Sequence, residues 1–164
     1  DLRALKPRLG KFSLELAGEK TRILPIGRFK GTKEDFDFLG FTFFNTTTRS
    51  GKYRVGVRTS KKKLKAKKQA AKAWLRKQLT MPISVTMEKL AAATRGHCNY
   101  YGVSGTFIQI QKFWKYVKYE TYRMFNRRDQ KGKLRYPKFL RIWNYYIEEA
   151  HLKVDIWNWQ PKTV

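Results

Sequence analysis

The chain has 164 residues, with 37 Lys and Arg against 12 Asp and Glu, a formal net charge of +25 and a sequence pI near 10.4. That length suits one domain, or a small domain with an appendage, and an apolar share of 41% is enough for a buried core and excludes a disordered tail. So much like charge repels itself unless a counter-charge shares the structure, which points to a polyanionic partner: nucleic acid first, an anionic membrane surface second.

Against the membrane, no apolar run approaches the ~20 residues that cross a bilayer, and no signal-peptide pattern opens the chain. The single cysteine, Cys98, excludes an internal disulfide framework and suits a reducing, cytoplasmic setting. With only His97 and His151 beside it, a structural zinc site lacks ligands.

Leu2, Leu5, Leu9 and Phe12 fall at helical spacing around Pro7, which would kink a helix or set its start. An apolar helix face with no cap before it suggests that residues upstream are missing or supplied by another chain. Lys20 to Ile26 is strand-like, with Pro25 placing its far end at an edge, and Gly27 to Glu34 is a basic loop. Phe36 to Phe44 is aromatic and Thr46 to Gly51 is a turn cluster. Tyr53, Val55 and Val57 then alternate with Lys52, Arg54, Gly56 and Arg58, so Asp35 to Arg58 is predicted to be a hairpin with one wet, cationic face.

Thr59 to Thr80 is dense in Lys and Arg and has no acidic residue. Leu64, Ala71, Leu75 and Leu79 form a thin apolar stripe with Trp74 at its edge, surrounded by Lys61, Lys62, Lys63, Lys65, Lys67 and Lys68. Solvated faces usually mix signs; this one does not, which favours phosphate contact. Met81-Pro82 breaks this helix, and Ser84 is the expected N-cap of the next, whose Met87, Leu90, Ala91 and Thr94 keep helical spacing up to a stop at Gly102. Ser104 is expected to cap a third helix with the face Phe107, Ile110, Trp114, Val117, Thr121 and Phe125, and with Lys112, Lys115, Tyr119, Arg123 and Arg127 opposite. Arg127 to Lys133 is a charged loop, and Pro137 opens a fourth helix with Phe139, Trp143, Tyr146 and Ile147 as its core face. Trp157 and Trp159 lie in a tail without period.

The fold class expected is α+β: a small antiparallel hairpin or sheet within residues 1–58, followed by a three- to four-helix bundle within 59–164. The stretch Thr94 to Gly102 concentrates the chemistry. Tyr100 and Tyr101 are about 100° apart on a helix, so one of them is expected at the surface. Arg95 and Asn99 share a face one turn apart, suited to phosphate contact or stacking. Gly96 in mid-helix costs roughly 1 kcal/mol against alanine and suggests close approach of another backbone, which protein packing explains as easily as RNA does. Catalytic constellations are missing: the acidic residues around the sheet, among them Glu15, Glu19, Asp35 and Asp37, contain no Asp-Asp pair for two metals, and there is no phosphate loop or convincing nucleophile.

Three blocks in order, Phe12 to Ile23 (FSLELAGEKTRI), Phe38 to Phe41 (FLGF) and Arg95 to Gly102 (RGHCNYYG), resemble the C-terminal part of a group II intron reverse transcriptase/maturase. The resemblance covers nearly the whole chain and is weakest after about Leu134. It implies that the first block ends a palm, that Phe38, Leu39, Gly40 and Phe41 shape a primer-grip-like hairpin, and that the helices form the thumb, or maturase-specific X domain. It places Lys20 near the phosphates of an incoming nucleotide, and Arg95, Asn99, Tyr100 and Tyr101 in the maturase signature. The tryptophan-small pair that follows the glycine in that family is here His97-Cys98.

The Tyr-x-Asp-Asp block and the earlier fingers and palm blocks do not occur in this sequence, so the resemblance implies no polymerase activity by this chain alone. No cofactor is expected in it; Mg2+ would belong to a palm or ribozyme supplied by a partner. The partners implied are group II intron RNA or an RNA–DNA hybrid, and a second polypeptide carrying fingers and palm if the chain is one piece of a split polymerase. A basic structural protein of a ribonucleoprotein is the blander alternative.

Overall fold

The computed structural model describes residues 2–15, 17, 34–128 and 134–156. The expectations for Lys20, for the strand to Ile26, for the loop after Gly27 up to residue 33, for the part of the charged loop at 129–133 and for Trp157 and Trp159 fall outside them. The described chain is α+β: α1 (Leu2–Gly10), then β1 (Asp35–Phe38), β2 (Phe41–Thr47) and β3 (Tyr53–Thr59), then α2 (Lys61–Lys77), α3 (Ile83–Tyr101), α4 (Phe107–Arg128) and α5 (Tyr136–Tyr146).

The expected hairpin is a three-stranded antiparallel meander in the order β1-β2-β3. The aromatic run that reads as one strand is cut at Leu39-Gly40. Both residues have positive φ, 49° and 85°, the conformation of a two-residue hairpin turn, and Phe38 pairs with Phe41 across it. The second turn closes with the Thr48 amide donating to the Lys52 carbonyl at 2.8 Å and with Gly51 at φ 74°. The face expected to be wet is less so: Gly56 is buried under the Phe44 ring, and Arg58 lies 4.9 Å from that ring and pairs with Asp35.

The core is helical. Leu75 of α2, Met87 and Leu90 of α3, Ile110, Trp114, Val117 and Phe125 of α4, and Phe139 and Trp143 of α5 form one buried cluster. α4 is its axis and packs against α2, α3 and α5. Burying each large apolar side chain contributes about 1.5–3 kcal/mol, so the apolar stripe of each helix is what holds the bundle. Thr94 and Thr121 enter this core because their hydroxyls donate back to the Leu90 and Val117 carbonyls, at 2.9 and 2.8 Å, and leave no orphan polar group.

Two expected caps are corrected. α3 begins after Pro82, whose carbonyl accepts from the Thr86 amide at 3.0 Å, so Ser84 sits inside the first turn. Ser104 does not cap α4; its hydroxyl donates to Asp155 at 2.6 Å and accepts from the Ile156 amide at 3.2 Å, tying the returning segment to the α3–α4 link. Leu79 and Phe107, expected on core faces, are exposed. α1 forms as its spacing predicts, with Pro7 inside it, and leaves Leu5 exposed together with Phe12 and Leu14 just beyond it.

Candidate nucleic-acid interface

The turn between β1 and β2 is held against the start of α2 and the end of α3. The Ser60 amide donates to the Gly40 carbonyl at 2.9 Å, and the Ser60 hydroxyl donates to the Asp37 carboxylate at 2.7 Å, while Thr42 donates to its other oxygen. From α3, the Tyr100 hydroxyl donates to the Leu39 carbonyl at 2.8 Å. Phe41 stacks on Tyr100 with centroids 6.0 Å apart and tilts against Tyr101 at 5.4 Å. Phe38, Leu39, Gly40 and Phe41 are thus joined to Tyr100 and Tyr101, which lie some 60 residues later in the chain. As expected from their spacing, the two tyrosines part company: Tyr101 is 4% exposed and Tyr100 53%.

A depression of about 400 Å3 opens at this junction, bordered by Asp37, Leu39, Gly40, Ser60, Lys63 and the two tyrosines. Beside it, Lys61, Lys62, Lys63 and Lys65 are exposed and form no salt bridge with a described residue. Their position is electrostatically unfavourable by itself. The N-terminus of a helix carries partial positive charge, where cations cost about 0.3–1 kcal/mol each at low salt, and the first turn of α2 has no acidic residue to offset them. The carboxylate held against this end is Asp37, kept below the usual carboxylate range first by the Thr42 hydroxyl and then by that of Ser60, with Arg58 and Lys62 adding to the effect. An anion arriving from outside removes the conflict, and a helix N-terminus ringed by lysines suits a phosphate.

The remaining predicted residues divide by neighbour. Lys67 sits 5.4 Å over the Tyr101 ring and Lys68 5.2 Å over Tyr116, so both ammonium groups are steered by aromatic faces. Arg95 faces away from the junction toward Glu148 at 3.9 Å, and Asn99 is exposed one turn on. Arg123 pairs with Glu120 at 3.5 Å and lies over Tyr119, while Lys112 and Lys115 are exposed on α4. The structure therefore gathers the Phe38–Phe41 turn, Lys63, Lys67, Tyr100 and Tyr101, and sets Arg95, Lys112, Lys115 and Arg123 elsewhere. Of the two residues that lock the junction, Asp37 was considered in the sequence only as a metal ligand and Ser60 was not singled out; Ser60 immediately before a lysine run was the available signal.

Protein packing does not account for Gly96: a Cβ added there meets nothing within 4 Å, so no backbone among the described residues approaches it. The buried residues of the signature are its neighbours. Cys98 is 0% exposed and its burial pushes the thiol up, which keeps it an unreactive core residue. His97 is 2% exposed, stacked on Phe113 at 4.1 Å and tilted against Tyr101 at 4.8 Å.

Burial, with the Lys67 charge adding to it, lowers the His97 pKa from 6.5 to about 4. The unfolded chain therefore takes up this proton first as pH falls, and stability present above pH 6.5 is lost progressively down to pH 4. The expected loss is about 3 kcal/mol, checked by urea unfolding at neutral pH and near pH 4.5. His97→Phe should remove that part of the acid sensitivity, whereas the Asp37 contribution is lost only below its ordinary value of 3.8, outside the same window.

Among the described residues no group of three or more His, Cys, Asp or Glu could hold a metal ion, and no helix is long and apolar enough to cross a membrane. Comparison of the chain with protein-family models, curated proteins and solved structures yields no match.

Proposed function

We propose that the chain is a nucleic-acid-binding module that holds structured RNA, of the group II intron type, or an RNA–DNA hybrid, and assists intron splicing as a thumb/maturase domain while the RNA performs the chemistry. The observation that carries this reading is the junction itself. A strained, exposed turn, an exposed tyrosine and Lys63, one of a lysine cluster at a helix N-terminus with no salt bridge to a described residue, border one depression. Phosphates would be held by Lys61, Lys62, Lys63 and Lys65, and Tyr100 offers a ring to an unstacked base. Such a module works in a reducing, cytoplasmic setting and draws on Mg2+ only through the RNA or a partner.

The test is competition: a labelled group II intron transcript bound to the protein is challenged with excess transfer RNA. Retention of the intron RNA by about tenfold or more over the competitor is expected, since shape-specific RNA contacts exceed the generic electrostatic contribution. Displacement on equal terms would leave only a general basic RNA binder.

A second reading is favoured by the apolar surface. Phe12, Leu14, Phe38 and Leu39 are exposed by 76, 56, 58 and 67%, more than isolated surface apolar residues require. They suit docking to a companion polypeptide bearing the catalytic aspartates of a split RNA-directed DNA polymerase. Purified alone, the chain should then extend no primer, and extension should appear only with the companion; a partnerless protein that matches full splicing function contradicts it.

A further inference from the structure

A second cleft lies between α2, α3 and α4, with a volume of about 320 Å3, at the small end of the ~300–1,000 Å3 typical of ligand sites. Its mouth is kept open by Ala70, Ala71 and Ala93, where larger side chains would close it. Lys67 and Lys89 border it, from α2 and α3, and none of the described residues that line it is acidic. Its walls are apolar and include aromatic surface from Trp74 and Phe113.

His97 also lines this cleft, and its two buried ring nitrogens have no hydrogen-bond partner among the described residues. A buried imidazole without partners is costly, by about 1–3 kcal/mol per unsatisfied group, unless something else completes it. Flat apolar walls, two cations at the rim and an unsatisfied donor and acceptor together match one class of occupant. A lipid chain would leave the imidazole unpaired, and an acidic peptide would gain nothing from the aromatic lining.

We propose that this cleft receives a single nucleobase swung out of a bound RNA strand, with His97 against the base edge and with Lys67 and Lys89 on the flanking phosphates. Lys67 reaches over Tyr101, and Tyr101 contacts His97, so the cleft and the turn junction are adjacent stations along one strand. The proposal rests on the RNA-binding reading and adds to it a base-specific pocket separate from the phosphate-binding lysines.

The experiment uses an RNA hairpin with one 2-aminopurine in its loop, and the same hairpin abasic at that position. Binding is followed by anisotropy of a distant label, and base insertion by 2-aminopurine fluorescence. Base–aromatic contacts contribute about 1–3 kcal/mol, so the wild-type protein should bind the base-bearing hairpin about tenfold more tightly than the abasic one, with a fluorescence change at saturation. Ala93→Phe fills the mouth from an exposed position, and its fold is checked by thermal melting. It should abolish both the preference and the fluorescence change while leaving abasic binding unaltered. Equal wild-type affinity for the two hairpins overturns the pocket and spares the RNA reading. Preference retained in a folded Ala93→Phe protein also overturns the pocket, and failure to bind either hairpin overturns both.

Discussion

Replacing Lys61, Lys62, Lys63 and Lys65 together by glutamine is expected to weaken RNA binding at least about a hundredfold at 0.1 M salt and to reduce the slope of log affinity against log salt by about 2 to 4. Each lysine that meets a phosphate releases a counterion, and these four are exposed, form no salt bridge with a described residue and cluster on the first turns of α2. The substitution relieves repulsion at the positive end of the helix, so the folded state should be unharmed or slightly firmer. Loss of binding with retained or raised stability, read by fluorescence anisotropy and urea unfolding on the same samples, separates a ligand-facing charge cluster from a structural one. The same replacement at Arg95 and Arg123, which already face Glu148 and Glu120, should cost much less binding.

A large effect on stability is expected at Gly105, in the link between α3 and α4. Its φ is 95°, and a Cβ there would lie 2.7 Å from the Val57 carbonyl oxygen of β3. Gly105→Ala therefore meets two penalties, an unfavourable backbone for an L-residue and a clash with main chain that has no rotamer to escape into. About 1–2 kcal/mol for the first and about 1–3 for the second give a loss near 3 kcal/mol. The contact is also where the sheet meets the helical core, so Gly105→Ala should loosen the turn junction with it. Gly96→Ala is the counterpart: mid-helix, with open space around the added methyl, it should stabilise by up to about 1 kcal/mol. Urea midpoints of the two variants, moving in opposite directions, distinguish a glycine that the fold requires from one that it does not.

What the sequence revealed and what it concealed follow from the range of the forces involved. Helices α2 to α5 were legible because their apolar faces repeat every three to four residues, and the centre of each face is buried: Leu75; Met87, Leu90 and Thr94; Ile110, Trp114, Val117 and Phe125; Phe139 and Trp143. The division of Tyr100 from Tyr101 was legible from helical geometry alone. The residue pattern alone concealed the β1–β2 turn, because Leu39 adopts positive φ, which sequence rules reserve for Gly, Asn and Asp, and the flanking Phe38 and Phe41 then read as one strand; only the family resemblance placed a hairpin at Phe38 to Phe41. Ser84 misled as a cap because the helix begins earlier, with Pro82 at the cap position, and Ser104 because its hydroxyl is taken by Asp155.

The candidate site was half legible. Its lysines announced themselves by charge, but the tie between Tyr100 and Leu39, the lock of Asp37 on Ser60 and Thr42, and the pairing of Arg95 with Glu148 join residues too distant, or too ordinary singly, for periodicity to reveal. Gly96 misled in the opposite sense. Its place in mid-helix suggested close approach by protein or RNA, and the protein does not supply it: the packed residues are its neighbours His97, Cys98 and Tyr101.

The central claim, that the cationic start of α2 and the adjoining turn grip nucleic acid through its phosphates, is tested most directly by measuring the affinity of the wild-type chain for a group II intron transcript from about 50 to 300 mM potassium chloride. Five or so phosphate contacts predict a linear fall of log affinity with log salt and a slope of about −4. A slope near zero, at any affinity, would contradict it.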